Sequence, residues 1–177
     1  MTPEDLRLEA QAGRHGQTLT AVIVEGQKGK EYRRPIVYEV EVLADLSPRL
    51  RELDEVLPFG LPAEAVPQGG SRVGGGSPFT VHLYNMTKWR DLFSSRQLVG
   101  LGQFVNQTRV VMGCNTFQAY PLIWREAIIA KLAVTIDKVA DYIAALCTWH
   151  ITGEKMSHVF VRFALPMNWD FAELNPF

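Results

Sequence analysis

The longest regular hydrophobic pattern occupies residues 121–150 and predicts a helix that begins at Pro121. Apolar side chains recur there at intervals of three and four residues, which is the spacing of one helical face. The positions on this face are Leu122, Ile129, Leu132, Ile136, Val139, Ile143 and Leu146, extended by Ile128 and Val134. A helix this apolar is expected either at the centre of a core or in a large interface.

The preceding stretch, "SRQLVGLGQFVNQTRVVM", predicts a second helix. Either Ser94 or Ser95 is a suitable N-cap, and Gly113 is a natural stop. Gly100 and Gly102 weaken the helix, and we expect them to permit the close approach of another element. The apolar positions at helical spacing are Leu98, Leu101, Val105 and Val111 or Met112.

The N-terminal third mixes helical and strand patterns. Residues 2–12 predict a short helix capped by Thr2, and "SPRLRELDEVL" predicts another that starts at Ser47-Pro48. Between them, "TAVIVEGQKGKEYRRPIVYEVEV" predicts a β-hairpin with its turn at residues 26–29. Pro35 argues for an edge strand or a break. The residues suited to a pleated surface are Val22, Val24, Tyr32, Ile36, Tyr38, Val40 and Val42.

Residues 58–78 are dense in glycine and proline, which excludes a regular element and predicts a long, mobile connection. The sequence therefore predicts a small α+β lobe in residues 1–57, a linker in residues 58–78, and a helix-dominated lobe in residues 79–177. Two short strands are expected in the second lobe, at "FTVHLYN" and "HVFVRFAL". The predicted fold class is α+β, with an N-terminal β-hairpin, short helices, a long loop and a long buried helix.

Composition excludes several broad classes of protein. The chain has 177 residues, 47% of them apolar, and a formal net charge of −1. One domain with room for a second small lobe is expected, and any nucleic-acid surface must be local. Two cysteines do not make a disulfide framework, so a reducing cytoplasm is the simplest setting. No signal-peptide pattern is visible, and six charges in residues 122–146 exclude a simple membrane span.

Motifs for phosphate and metal chemistry fail on their spacing. Gly29-Lys30 is followed by Glu31, so no phosphate-binding P-loop is formed. Cys147, His150 and His158 match no standard metal site and lack a fourth ligand, so we predict no metal and a buried structural thiol at Cys147.

Local charge is more informative. Lys88, Arg90 and Arg96 surround Trp89 and form the first basic cluster. The second basic cluster comprises His150, Lys155, His158 and Arg162. Basic side chains beside aromatic rings can hold phosphates and stack on bases. The competing interpretation, which single-sequence reasoning favours, places the aromatic rings in the core and the charges on a solvated rim.

Residues 84–105, "YNMTKWRDLFSSRQLVGLGQFV", resemble a known family: the large bacterial and archaeal adenine-specific DNA methylases that contain a zinc-ribbon segment and an N-terminal domain of unknown function. Those proteins carry a similar run, G-M-T-K/R-W-G-D-L-F-T-x-R-Q-L-L-A-L. Residues 149–177 continue the likeness through Trp-His, Thr-Gly-Glu-Lys, Ala-Leu-Pro-Met, Trp-Asp-Phe and Asn-Pro-Phe landmarks. Asn85 and Arg90 depart from glycines of the family's run, so that turn is expected to differ.

The resemblance implies methyl transfer from S-adenosylmethionine to the N6 amine of adenine in DNA, with the family's other domains as partners. The family's glycine-rich cofactor loop, its D-P-P-Y catalytic loop and its zinc cysteines are not in this sequence, so no catalytic residue can be carried over. The chain is expected to be a fragment that is inactive alone, needs no cofactor by itself, and either faces DNA or scaffolds the catalytic halves. Trp169, Asp170 and Asn175 are predicted to lie near the cofactor.

Two alternatives stay open. The chain could be a non-enzymatic DNA- or partner-binding module of a phage-defence or mobile-element system. It could also be a freestanding enzyme with a site around Asp170, Glu173 and His158. In either case no membrane partner is predicted, and the apolar helix is expected to support homo-oligomers if it is exposed.

Overall fold

The computed structural model describes residues 2–41, 45–68, 79–160 and 164–175. Within these ranges the predicted α+β class is confirmed, since helices alternate with two small antiparallel sheets. The α-helices are α1 (Pro3–Gln11), α2 (Val37–Glu41), α3 (Ser47–Val56), α4 (Ser95–Gly113), α5 (Asn115–Gln118) and α6 (Leu122–Ile143). The strands are β1 (Val22–Gly26), β2 (Gly29–Arg33), β3 (Trp149–His150) and β4 (Lys155–Met156).

The N-terminal hairpin is confirmed, but its second strand is shorter than predicted. β1 and β2 pair antiparallel from Val22 opposite Arg33 to Gly26 opposite Gly29. Residues Val37–Glu41 form the helix α2 where a strand was predicted. Glu39 explains the difference, because its carboxylate accepts a hydrogen bond from the Ile36 backbone N–H at 2.9 Å and binds both terminal nitrogens of Arg33. Such side-chain bonds satisfy backbone groups that a strand would otherwise pair.

The predicted strand at "FTVHLYN" is wrong. Residues Val81–Tyr84 form a 3-10 turn, which Asn85 ends in the left-handed region at φ 65°. The start of this stretch bonds to the C-terminal segment, because Thr80 N–H donates to the Leu165 carbonyl and Phe79 pairs with Leu165 in a single bridge. The second predicted strand, at "HVFVRFAL", is absent from residues 158–160, and residues 161–163 lie outside the described ranges.

The two long helices begin where the sequence predicted. Ser94 caps α4 in a capping box with Gln97, and α4 ends at Gly113. Pro121 precedes the first residue of α6, which spans 22 residues but ends at Ile143, before Leu146. Ala144 adopts ψ 151° there, and its successor Ala145 donates its N–H to the Leu92 carbonyl at 2.8 Å. That bond to a distant turn replaces the next helical bond.

The core lies where the 3-10 turns, residues 144–147 and the C-terminal segment meet. Its buried members are Val66, Phe79, Val81, Met86, Leu92, Ala144, Leu146, Cys147, Val159 and Leu165. The predicted burial of α6 is not observed, because Ile143 is its one buried residue. The helix packs along α4 on a single side and leaves its other side in solvent. The sequence predicted that this helix lies either in a core or in a large interface. The core is therefore excluded, and the interface stays a prediction.

The described part of the predicted linker packs against the 3-10 turns of residues 81–92. Leu61 and Val66 are buried, and Val66 N–H donates to the Thr87 carbonyl at 2.8 Å. Residues 69–78 lie outside the described ranges, so the division at residues 58–78 stays a prediction. None of the described helices is long and apolar enough to cross a membrane.

Gly102 and Gly100 give a matched test of the α3–α4 packing. A Cβ atom on Gly102 would lie 3.0 Å from the Cδ1 atom of the buried Leu53, whereas one on Gly100 would meet nothing within 4 Å. Gly102→Val is therefore expected to lower the free energy of unfolding by about 1–3 kcal/mol through overpacking. Gly100→Ala is expected to raise it by up to about 1 kcal/mol, because alanine favours the helix. Urea denaturation followed by circular dichroism measures both changes, and equal effects would contradict this packing.

Candidate functional site

The N-terminus of α4 presents one side chain that links two distant parts of the chain. Gln97 is buried, and its Oε1 atom accepts the Ser94 backbone N–H at 2.6 Å in the capping box. With Oε1 occupied by the cap, the Nε2 group of Gln97 is available for a second partner. It donates to Oε2 of Glu173 at 2.7 Å. Helix initiation and attachment of the C-terminal segment therefore share one residue.

Glu173 completes what we call the Arg96–Glu173 junction, formed by Arg96, Gln97 and Glu173. Its Oε1 atom accepts a hydrogen bond from Arg96 Nε at 2.6 Å, and the two side chains are 26% and 22% exposed. Partial burial strengthens such a charge-assisted bond relative to one in bulk water. Arg96 belongs to the first basic cluster predicted to contact nucleic acid, and here its charge is already matched by a carboxylate.

Trp169, predicted to lie near the cofactor, sits edge-on to Tyr84. Their ring centroids are 5.0 Å apart at an interplanar angle of 86°, and half of Trp169 is exposed. A hydrogen bond to the Tyr84 side chain raises the pKa of Arg7, which places α1 at the same contact. Asp170 and Asn175 are also exposed on this C-terminal segment. All three predicted cofactor residues therefore lie at the surface.

The remaining residues of the first basic cluster lie in the 3-10 turn Trp89–Leu92 and just before it. Asp91 holds this turn by accepting the backbone N–H groups of Thr87 and Lys88 at 3.0 and 2.8 Å. Trp89 packs against the core, and the centroid of its ring lies 6.2 Å from the centroid of the Phe160 ring. Lys88 and Arg90 are half-buried, and no ion pair joins either of them to a described residue.

The structure divides the second basic cluster. His150 and Lys155 are opposite each other in the β3–β4 pair, and the Nδ1 atom of His150 accepts the Gly153 N–H at 3.1 Å. His158 lies instead against the end of α6. Arg162 falls outside the described residues. Of the three described residues, His150 and Lys155 share an exposed turn, whereas His158 is bound to Asp141.

His158 belongs to a network that the sequence analysis did not find, with Asp141 and Tyr142 of the last turn of α6. Its Nδ1 atom lies 2.7 Å from Oδ2 of Asp141, and its Nε2 atom lies 2.9 Å from the Tyr142 hydroxyl. The other oxygen of Asp141 accepts the backbone N–H groups of Val159 and Phe160 at 3.0 and 2.8 Å. These five residues, named here the Asp141 network, fasten the segment after β4 to α6.

Burial and hydrogen bonding act in opposite directions on Asp141. Burial raises the pKa of this carboxyl, but the bonds from Phe160, His158 and Val159 together outweigh it and hold the pKa below its usual value. A charged carboxylate favours a proton on Nδ1 of His158, which leaves Nε2 to accept the hydroxyl proton of Tyr142. The arrangement fixes the orientation of the His158 ring. Its hydrogen bonds attach the segment after β4 to α6, so its role is structural.

Cys147 is buried, as predicted, and that burial raises its pKa to about 12. The thiol is therefore protonated at physiological pH and is not a nucleophile. Across the part of the chain that the structure describes, no group of three His, Cys, Asp or Glu side chains could hold a metal ion. Two of the three residues of the alternative freestanding enzyme site are engaged separately, since Glu173 binds Arg96 and His158 binds Asp141.

An open apolar groove runs between α4 and α6. Its volume is about 230 Å³, and Val105, Ile129 and Ile136 line it together with Arg109 and Asp137. None of the residues predicted to bind DNA or cofactor lines this groove. It reflects incomplete packing between the two helices.

Comparisons with known proteins found no matching family model, no matching curated protein and no matching solved structure.

Asp141 provides a pH-dependent test of the network. Asp141→Ala leaves two backbone N–H groups and His158 without their acceptor, so we expect a loss of about 1–3 kcal/mol in the free energy of unfolding at pH 7. Since the folded pKa is lowered from 3.8, this stabilisation is present above that value and is lost as the pH falls through the folded pKa. Urea denaturation across pH 2–7 should therefore show the variant and the wild type converging below about pH 4.

Asp137→Ala is the matched control, because Asp137 is an exposed carboxylate on the same helix. It should change stability by less than about 0.5 kcal/mol at any of these pH values. If the Asp141 variant were as stable as this control at pH 7, the network would contribute nothing to the fold.

Proposed function

We propose that this chain is a segment of an S-adenosylmethionine-dependent, adenine-specific (N6) DNA methyltransferase. In this proposal the segment either faces the DNA or scaffolds the catalytic halves, and it is inactive in isolation. The proposal starts from the likeness of residues 84–105 and 149–177 to the large adenine-specific methylases. It is supported by how those two stretches are arranged in the fold.

The single observation that carries the proposal is that the two stretches fold onto each other. Arg96 and Gln97 of the first bind Glu173 of the second, and Tyr84 of the first contacts Trp169 of the second. Their packing suits a unit of which both stretches are parts.

We propose that the residues the structure describes do not make up a cofactor site by themselves. Methyltransferases of this type place the cofactor at the carboxyl ends of parallel strands, and both described sheets are antiparallel pairs. No step of methyl transfer is therefore assigned to this chain. Trp169, Asp170 and Asn175 are proposed to approach the cofactor only in the complete protein, where the rest of the enzyme would bind S-adenosylmethionine.

The DNA-facing role is assigned first to Lys88 and Arg90, because they lie at one 3-10 turn and have no ion-pair partner among the described residues. The exposed pair His150 and Lys155 comes second. Arg96 is assigned a lesser part, since binding a phosphate would require it to leave Glu173. Trp89 fixes the turn through the core and is not proposed to stack on a base.

The alternative, a non-enzymatic DNA- or partner-binding module, is favoured by one feature of the fold. Buried residues between Phe79 and Leu165 share a core that also includes Val66, and the Arg96–Glu173 junction attaches the C-terminal segment to α4. A module needs that degree of independence, whereas an inserted segment does not. The reading frame of the gene distinguishes the two proposals.

DNA binding is expected to depend on salt and on the 3-10 turn. In a mobility-shift titration with duplex DNA, the double variant Lys88→Gln/Arg90→Gln should reduce the slope of log K against log salt by roughly 2, since each lost phosphate contact contributes about 0.9. Arg96→Gln should reduce it by less. Absence of any shift at low salt would leave both basic clusters as ordinary surface.

The control for that titration is Arg14→Gln/Arg49→Gln, which removes the same charge from two exposed arginines paired with Glu9 and Glu52. Its salt slope should match the wild type. If the control lost affinity equally, binding would reflect net charge, and the assignment of the turn would be wrong.

The segment proposal also predicts the gene. The reading frame is expected to continue past codon 177 and to encode a D-P-P-Y-like sequence, which sequencing of the locus checks. A stop codon directly after Phe177 would contradict the proposal and favour the module. Calorimetry of residues 1–177 with S-adenosylmethionine should detect no binding, and tight binding would mean that a cofactor pocket had been missed.

A further inference from the structure

The side of α6 that faces away from α4 carries a second apolar stripe. Its members, named here the outer stripe, are Ile123, Ala127, Ala130 and Val134. All four are exposed, with Ile123 at 73% and Val134 at 61%. They are separated by intervals of four, three and four residues, which is the spacing of a coiled-coil seam. One apolar side of α6 packs against α4 and a second apolar side is exposed to water, so the helix can pack against partners on both sides.

The sizes along the outer stripe are symmetric about its midpoint. The order is large, small, small, large, so an antiparallel copy of the same stripe places Ile123 opposite Val134 and Ala127 opposite Ala130. The two central alanines permit close approach of the helix backbones, while the larger residues close each end. A two-fold interface requires such self-complementarity, because each surface must match itself.

The antiparallel arrangement also brings a cation beside an aromatic ring across the interface. In the antiparallel pair, Trp124 on the flank of the stripe lies beside Lys131 of the other copy, twice per dimer. Trp124 is 62% exposed and Lys131 is also exposed, so both are available for a cation–π contact.

We propose that two copies of this chain associate through the outer stripe of α6 in an antiparallel, two-fold arrangement. The occupant is a second copy because the size pattern and the Trp124–Lys131 pairing are matched to the same surface inverted. A contact of one helix per subunit is at the small end of specific interfaces, so a dissociation constant in the micromolar range is expected. This inference does not depend on the proposed function.

Sedimentation equilibrium from about 1 to about 200 µM tests the proposal. The wild type should move from monomer to dimer over this range. Ala130→Glu places two charges at the centre of the stripe and should leave the protein monomeric at every concentration, while Lys131→Gln should weaken the dimer about fivefold or more. Thr135→Glu, at an exposed position of α6 outside the stripe, is the control and should dimerise like the wild type. Circular dichroism verifies that the variants keep their helices.

Cross-linking distinguishes the orientation. In a Cys114→Ser background, which keeps a polar cap on α5, an oxidised mixture of the A127C and A130C proteins should give the mixed disulfide at least fivefold above either homodimer. Dominant homodimers would indicate a parallel pair and overturn the proposal.

A wild type that stays monomeric at about 200 µM would also overturn it, as would an Ala130→Glu variant that still dimerises. A monomeric wild type would mean that the outer stripe binds a different protein. A dimeric Ala130→Glu variant would mean that the dimer contact lies on another surface. Neither outcome affects the DNA-binding and reading-frame tests, so the two proposals fail independently.

Discussion

Gln97 joins the start of α4 to the C-terminal segment, and the arrangement of residues 94–175 depends on it. Its carbonyl oxygen starts α4 by accepting the Ser94 N–H, and its amide nitrogen holds the carboxylate of Glu173, 76 residues further along. A buried amide must satisfy both ends, because an unpaired polar group away from water costs roughly 1–3 kcal/mol. The start of the helix and the position of the C-terminal segment are therefore coupled. The chain cannot move the segment without leaving the amide unsatisfied.

The features that sequence reasoning predicted correctly are those set by neighbours in the chain. The Thr2 and Ser94 caps act over three residues, and the starts of α3 and α6 follow from their prolines. The wrong predictions lie where a hydrogen bond to a residue distant in the sequence determines the local structure. "FTVHLYN" alternates as a strand would, yet Leu165 takes the bonds of Phe79 and Thr80. Likewise, α6 ends early because Leu92, more than 50 residues upstream, accepts the N–H of Ala145.

In the candidate site, too, contacts between residues distant in the sequence could not be predicted from the sequence. Single-sequence reasoning found Lys88, Arg90 and Arg96 because they are adjacent, and it could weigh their charge only against neighbouring residues. It could not find that Glu173 neutralises Arg96 while no described acid pairs with Lys88. Nor could it join Asp141 to His158, since 17 residues and a hairpin separate them. Charged residues in a sequence indicate where a nucleic-acid-binding surface is possible. Tertiary contacts determine which of those residues are already paired with an acidic side chain.

The exposure of α6 and the position of the core have one cause. The core is built from 3-10 turns and extended segments, which pack only around the C-terminal end of α6, where Ile143 and the Asp141 network lie. The rest of the helix therefore extends along α4 with one side covered. An apolar side of that length in water is costly unless another surface covers it. The hydrophobic pattern that predicted a core helix thus belongs to a helix attached to the core at one end, and its exposed side is the surface that we propose for self-association.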